Sequence, residues 1–102
     1  MKISIPHLSY TITLKDAYRK DMDGHPCCER ISNGECIIWM PKKVRKEVTT
    51  LAHEVTHALQ FIAHSRDINM VLEQEHIAYM MQYIMAKILN IKLHNYPSKK
   101  DF

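Results

Sequence analysis

The stretch LAHEVTHAL at residues 51–59 contains two histidines four positions apart, with a glutamate directly after the first. It lies in a longer run from Pro41 onward in which apolar residues recur every three or four positions. These are Val44, Val48, Leu51, Val55, Leu59 and Ile62. This spacing predicts a helix with one buried stripe. Because no Gly or Pro occurs between residues 42 and 96, a second helix can follow. We expect it from about Ile68 to Ile91, after a break near HSRDIN (64–69).

The first 40 residues favour strands. ISIPHLSYTITL (3–14) is rich in Ile, Thr and Tyr, with a break expected at Pro6. ERISNGECIIWM (29–40) predicts a hairpin that turns at Asn33-Gly34 and places Cys28 opposite Trp39. The predicted fold class is therefore α+β: a small antiparallel sheet or hairpin followed by two long antiparallel helices. Residues 1–93 are predicted to form a single domain, and residues 94–102 a flexible tail.

The composition is that of a soluble globular domain, with 102 residues, 46% apolar and 25% charged. No apolar leader follows Met1 and no run approaches the roughly 18 apolar residues of a membrane span. We therefore expect no membrane association and a cytoplasmic location, with a virion or the host cytoplasm as the alternative. The three cysteines, Cys27, Cys28 and Cys36, are expected to be reduced. The net charge is +3, and part of it lies in PKKVRK (41–46), which we interpret as a solvated first helical turn.

The HEVTH pattern has the spacing of a metal site. With seven histidines and six glutamates in the chain, a shuffled sequence would contain H-E-x-x-H with a probability of about 0.03. On a helix, His53 and His57 lie on one face about 6 Å apart along the axis, so both imidazoles can converge on one ion. Glu54 lies about 100° round the helix from His53, where it can act as general base on a metal-bound water.

A catalytic zinc needs a third protein ligand, and the candidates are His64, Glu73, Glu75 and His76. His64 lies about 10 Å beyond His57 on the same helix, which is too far. On the second helix, Glu75 is predicted to face inward, where a carboxylate needs a cation, whereas Glu73 shares a polar strip with His76. We therefore prefer Glu75 to Glu73, with His76 behind both.

HEVTH followed by a helix that carries Glu75-His76-Ile77-Ala78-Tyr79 resembles the zincin-like metallopeptidases whose third ligand is a glutamate on the next helix, the gluzincin type. It is most similar to the very small versions found in bacteriophage genomes and to peptidase domains of the ImmA/IrrE type, over roughly residues 35 to 90. The resemblance implies a zincin-like domain with Zn²⁺ held by His53, His57 and Glu75, and with Glu54 as the general base. It also implies a protein or peptide substrate.

Two further elements would complete a peptidase site. ECIIWM (35–40) is predicted to be the sheet edge that receives an extended peptide as an additional strand. Tyr79, one turn after Glu75, is the preferred oxyanion partner, with Tyr83 and His64 as weaker candidates.

The main alternative is a non-catalytic, zinc-stabilised binding module, such as a phage-type protein that acts on a host factor. It would present a methionine-rich surface formed by Met70, Met80, Met81 and Met85. Glu54 favours catalysis, because a purely structural zinc site has no use for it. A basic nucleic-acid binder is the least favoured interpretation, since no recognised binding motif accompanies PKKVRK. An exposed sheet edge leaves a homodimer open.

Overall fold

A computed structural model describes residues 1–92, so the tail expected at residues 94–102 lies outside the described part. Four strands come first, and two helices follow. The strands are β1 (Lys2–Ile5), β2 (Tyr10–Lys15), β3 (Cys27–Ser32) and β4 (Glu35–Trp39); the helices are α1 (Val48–Ser65) and α2 (Gln74–Leu89). Short 3₁₀ turns occupy Pro6–Leu8, Lys20–Met22 and Lys42–Val44. The predicted α+β class, a small sheet followed by two helices, is confirmed.

The sheet has the strand order β1-β2-β4-β3. The β1–β2 and β3–β4 pairs are antiparallel, but β2 and β4 are parallel, so the sheet is mixed. Strand β4 therefore lies between two neighbours, and the prediction that ECIIWM forms an edge is wrong. Its side chains are buried or half-buried on both faces, which is typical of an interior strand. The edges are β1 and β3.

The β3–β4 hairpin turns where the sequence predicts, but its register changes along the strands. Ser32 pairs with Glu35 beside the turn, whereas Cys28 pairs with Ile38 instead of Trp39. The register shifts by one residue between Arg30 and Ser32, as in a β-bulge. This irregularity accounts for the error in the predicted pairing of Cys28.

The hydrophobic core lies between the sheet and the two helices. Alternate residues of β1 and β2 enter it, and α1 contributes the predicted stripe. One member of that stripe, Val48, is instead 52% exposed. The largest fully buried side chains are Tyr10, Ile5, Ile12, Ile38, Met40, Leu51, Ile62, Met80 and Ile84. Among residues 1–92, no helix is long and apolar enough to cross a membrane.

The segment PKKVRK does not form the first turn of α1, contrary to the prediction. It makes a 3₁₀ turn at Lys42–Val44, and α1 begins only at Val48. Arg45 is buried, and its Nε donates a hydrogen bond to the carbonyl oxygen of Met40 at 3.0 Å. The segment therefore connects β4 to α1, and Arg45 fixes part of it through its contact with Met40.

Helix α2 starts six residues later than predicted. The Asn69 side-chain oxygen accepts hydrogen bonds from the backbone N–H groups of Val71 and Leu72, both at 3.0 Å. Such a side-chain turn competes with helix formation. Helix α2 ends at Leu89, followed by Asn90 in the left-handed conformation at φ 56°.

Candidate metal centre

His53 and His57 project from the exposed face of α1 and approach each other through their Nε2 atoms, which lie 3.2 Å apart. The rings meet edge to face, with centroids 4.9 Å apart and an interplanar angle of 78°. Helical spacing places both side chains on one face, as the sequence predicts.

The separation of the two nitrogens suits a tetrahedral ion. Histidine nitrogens bind zinc at about 2.0 to 2.1 Å, so two of them on one tetrahedral zinc stand about 3.3 to 3.4 Å apart. The observed 3.2 Å is close to that value. His53 and His57 thus fit two of the ligand positions of a zinc site.

Gln60 supports His57 from the opposite side of its ring. The Nδ1 atom of His57 lies 3.3 Å from the Gln60 side-chain oxygen, which can only accept a hydrogen bond. This contact favours the His57 tautomer that is protonated at Nδ1, which leaves the Nε2 lone pair available to a metal. The sequence places Gln60 on the histidine face, but its role follows only from this contact.

Glu54 is buried, whereas His53 and His57 on the same helix are exposed. It is only 6% exposed and lies on the part of α1 that packs towards β3 and β4. The hydrogen bond with Cys36 and burial raise the pKa of Cys28, and the nearby charge of Glu54 raises it further. The carboxylate accordingly lies within electrostatic range of β3.

The position of Glu75 differs from the one predicted for the third metal ligand. Among residues 1–92, no three His, Cys, Asp or Glu side chains lie close enough together to hold a metal. Glu75 is exposed in the first turn of α2, so the inward orientation used to select it is wrong. The buried face of α2 passes instead through Met80, Tyr83 and Ile84. The ligand role of Glu75 remains a prediction.

The other two candidates, Glu73 just before α2 and His76 in its first turn, have partners of their own. The Glu73 Oε2 atom accepts a hydrogen bond from the backbone N–H of Asn69 at 3.1 Å. Its Oε1 atom lies 3.8 Å from Nδ1 of His76, and Nε2 of His76 lies 3.4 Å from Nε2 of His7. Glu73 and His76 thus belong to a second cluster.

The three oxyanion candidates lie in different surroundings. Tyr79 is 37% exposed, and its role remains a prediction. Tyr83 is buried, and its hydroxyl donates to the carbonyl oxygen of Ser4 at 3.2 Å. His64 is exposed and lines a shallow depression of about 440 Å³, together with Gln60, Ala63, Asp67, Ile68, Asn69 and Met70.

No protein-family model matches this chain, and neither a curated protein sequence nor a solved structure matches it significantly. The interpretation of the site therefore depends on its own residues and contacts.

Proposed function

We propose that this protein is a zinc-dependent metallopeptidase that hydrolyses peptide bonds in a protein or peptide substrate. The observation that supports this most directly is the 3.2 Å approach of the Nε2 atoms of His53 and His57. Two imidazoles that converge at the separation of tetrahedral ligands, beside a glutamate that is not a ligand, form the basis of a hydrolytic metal site.

Most of the proposed chemistry is assigned to side chains of α1. His53 and His57 would hold the ion through Nε2, and Gln60 keeps the His57 ring in the required tautomer. A zinc ion bound there would polarise the substrate carbonyl and lower the pKa of its bound water. Glu54 takes the proton of the attacking water and passes it to the leaving amine. Tyr79 is our proposed hydrogen-bond donor to the oxyanion.

We propose β3 as the strand along which the peptide binds. It is an edge strand, so the backbone groups on its outer side are not paired within the sheet. It also contacts α1, the helix that carries HEVTH. An extended peptide can add to such an edge through backbone hydrogen bonds. This assignment replaces the one made for ECIIWM.

We propose Glu75 as the third ligand because its carboxylate is available to bind an ion. Its side chain is exposed and makes no hydrogen bond or ion pair with any part of residues 1–92. Glu73, by contrast, is engaged by Asn69 and His76. Of the two carboxylates, Glu75 is therefore the one free to take a ligand position.

The second candidate function is a non-catalytic, zinc-stabilised binding module. It is favoured by the finding that no third ligand lies beside His53 and His57 in the described part of the chain. The methionine-rich surface suggested for it is not formed as such. Met80 is fully buried, and Met81 and Met85 pack against the core.

The test combines zinc content with hydrolysis of fluorescently labelled casein by protein purified without chelator. Relative to wild type, we expect His53→Gln/His57→Gln to lose one zinc per chain and Glu75→Ala to bind that zinc more weakly. Glu54→Gln should keep the zinc but hydrolyse casein at least ~100-fold more slowly. Glu47→Ala, which removes an exposed glutamate at the start of α1, is the matched control and should change neither quantity.

Two outcomes would contradict the peptidase. If folded wild-type protein takes up no zinc at the His53–His57 pair, neither zinc function stands. If zinc binds there but casein hydrolysis is absent, or is equal in Glu54→Gln, the binding module becomes the better proposal.

A further inference from the structure

A second pair of histidines is formed by residues far apart in sequence. His7 lies in the 3₁₀ turn between β1 and β2, and His76 lies in the first turn of α2, 69 positions later. Their Nε2 atoms are 3.4 Å apart, with ring centroids 5.6 Å apart and an interplanar angle of 35°. The fold, not helical periodicity, brings them together.

The orientation of His76 is supported by a carboxylate. Glu73 Oε1 lies 3.8 Å from Nδ1 of His76, and the other oxygen of Glu73 is held by the backbone N–H of Asn69 at 3.1 Å. At 3.8 Å the two atoms are beyond hydrogen-bond distance, so Glu73 favours the tautomer protonated at Nδ1 through its charge alone. Nε2 of His76 then presents its lone pair towards His7.

Two imidazole nitrogens this close either share one proton or bind one cation between them. Their 3.4 Å separation lies within the range of about 3.3 to 3.4 Å expected for two histidine nitrogens on a tetrahedral ion. The side chain of His76 is 22% exposed, so the pair lies at the rim of the core and an ion can reach it from solvent.

We propose that His7 and His76 form a second metal site, separate from the His53–His57 pair. Two imidazole ligands suit the borderline divalent ions, of which Zn²⁺, Co²⁺, Ni²⁺ and Cu²⁺ are the common ones. Glu73 supports the site from beyond His76, and water completes the coordination. The assignment does not depend on the proposed peptidase activity.

Such a site would connect the start of α2 to the turn between β1 and β2. Elsewhere, buried residues that include Met80 and Tyr83 attach α2 to the core, and the Tyr83 hydroxyl donates a hydrogen bond to Ser4 in β1. His76 lies four and seven positions before these two residues, so it continues the same helical face towards the N-terminal end. An ion bound only by the folded chain stabilises it by mass action.

The test uses the full chain, freed of metal with a chelator, in the His53→Gln/His57→Gln background. Titration with ZnCl₂ should show one bound equivalent by calorimetry and a rise in Tm. Adding His76→Gln should abolish both effects. Adding His25→Gln instead, which changes an exposed histidine of another loop, should leave both unchanged.

Far-UV circular dichroism checks that each variant is folded. If His76→Gln misfolds, ¹⁵N NMR of the histidine side chains in the parent background identifies the zinc ligands instead. Zinc should then shift the Nε2 resonances of His7 and His76. The proposal is overturned if that background binds no zinc, or if the shifts fall on other histidines. A thiolate charge-transfer band with CoCl₂ would also overturn it, because the ligands would then be cysteines.

Discussion

The Nε atom of Arg66 donates a hydrogen bond to the carbonyl oxygen of Leu8 at 2.6 Å. The same guanidinium donates to the carbonyl oxygens of Asn33 at 2.9 Å and Ser9 at 3.1 Å, and lies 5.7 Å from the ring centroid of Tyr10. One side chain at the end of α1 thus holds the β1–β2 turn and the β3–β4 hairpin turn together.

We expect Arg66→Met to lower the free energy of unfolding by about 2 to 4 kcal/mol, because several charge-assisted hydrogen bonds are lost at once. Urea unfolding followed by circular dichroism measures the change. Arg30→Met is the control: Arg30 is exposed and makes a single 3.5 Å contact with Asn33, so its loss should cost less than about 0.5 kcal/mol. Equal effects of the two substitutions would contradict this role for Arg66.

Gln60→Ala should weaken zinc binding at the His53–His57 pair by about 10- to 100-fold, because the partner that fixes the His57 tautomer is removed. Competition with a chromogenic chelator in a His76→Gln background measures the affinity of this pair alone. Gln82→Ala, an exposed glutamine on α2, should leave the affinity unchanged. An unaltered affinity in Gln60→Ala would mean that another group orients His57.

Local sequence patterns were sufficient to predict the hairpin at Asn33-Gly34, the buried stripe of α1 and the shared face of His53 and His57. Each depends on residues only a few positions apart. The edge strand could not be predicted in the same way, because the parallel pairing of β2 with β4 joins residues more than 20 positions apart. Burial of β4 depends on that pairing.

The face occupied by Glu75 was mispredicted for a related reason. The packing of α2 against the sheet determines its buried face, and the turn held by Asn69 and Glu73 determines where it begins. Neither property is contained in the periodicity of α2 alone. The contact between His7 and His76 could not be predicted either, because the two residues are 69 positions apart and share no local motif.

Stability of the metal-free protein should fall as the solution is acidified through the histidine range. Burial and the neighbouring His76 lower the pKa of His7 below its usual value of 6.5. The unfolded chain therefore binds the proton more readily, so stability is lost as the pH falls through about 6.5. With chelator present, His7→Gln should reduce the difference in unfolding free energy between about pH 7.5 and about pH 5.5. His25→Gln should not reduce it, and an unchanged pH dependence in His7→Gln would contradict the prediction.

The cysteines should react slowly with alkylating reagents in the folded protein. The hydrogen bond with Cys36 and burial raise the pKa of Cys28, and burial raises the pKa of Cys27. Cys36 is itself fully buried. Because the thiolate is the nucleophile, we expect iodoacetamide at neutral pH to modify the folded chain at least ~10-fold more slowly than the chain in urea. The prediction would be contradicted if mass spectrometry showed rapid alkylation of one thiol in the folded protein.

Glu54→Gln distinguishes the effect of the Glu54 carboxylate on stability from its proposed role in catalysis. Glu54 is 6% exposed, and no group within residues 1–92 donates a hydrogen bond to it. A carboxylate in a residue this little exposed loses part of its hydration, so a neutral side chain of the same shape should leave the metal-free protein equally stable or more stable by about 1 kcal/mol. Glu47→Gln, at an exposed position before α1, should change stability by less than about 0.5 kcal/mol. Stability retained together with loss of hydrolysis is the pattern expected of a residue kept for catalysis. A loss of more than about 1 kcal/mol in urea unfolding would instead assign Glu54 a structural role.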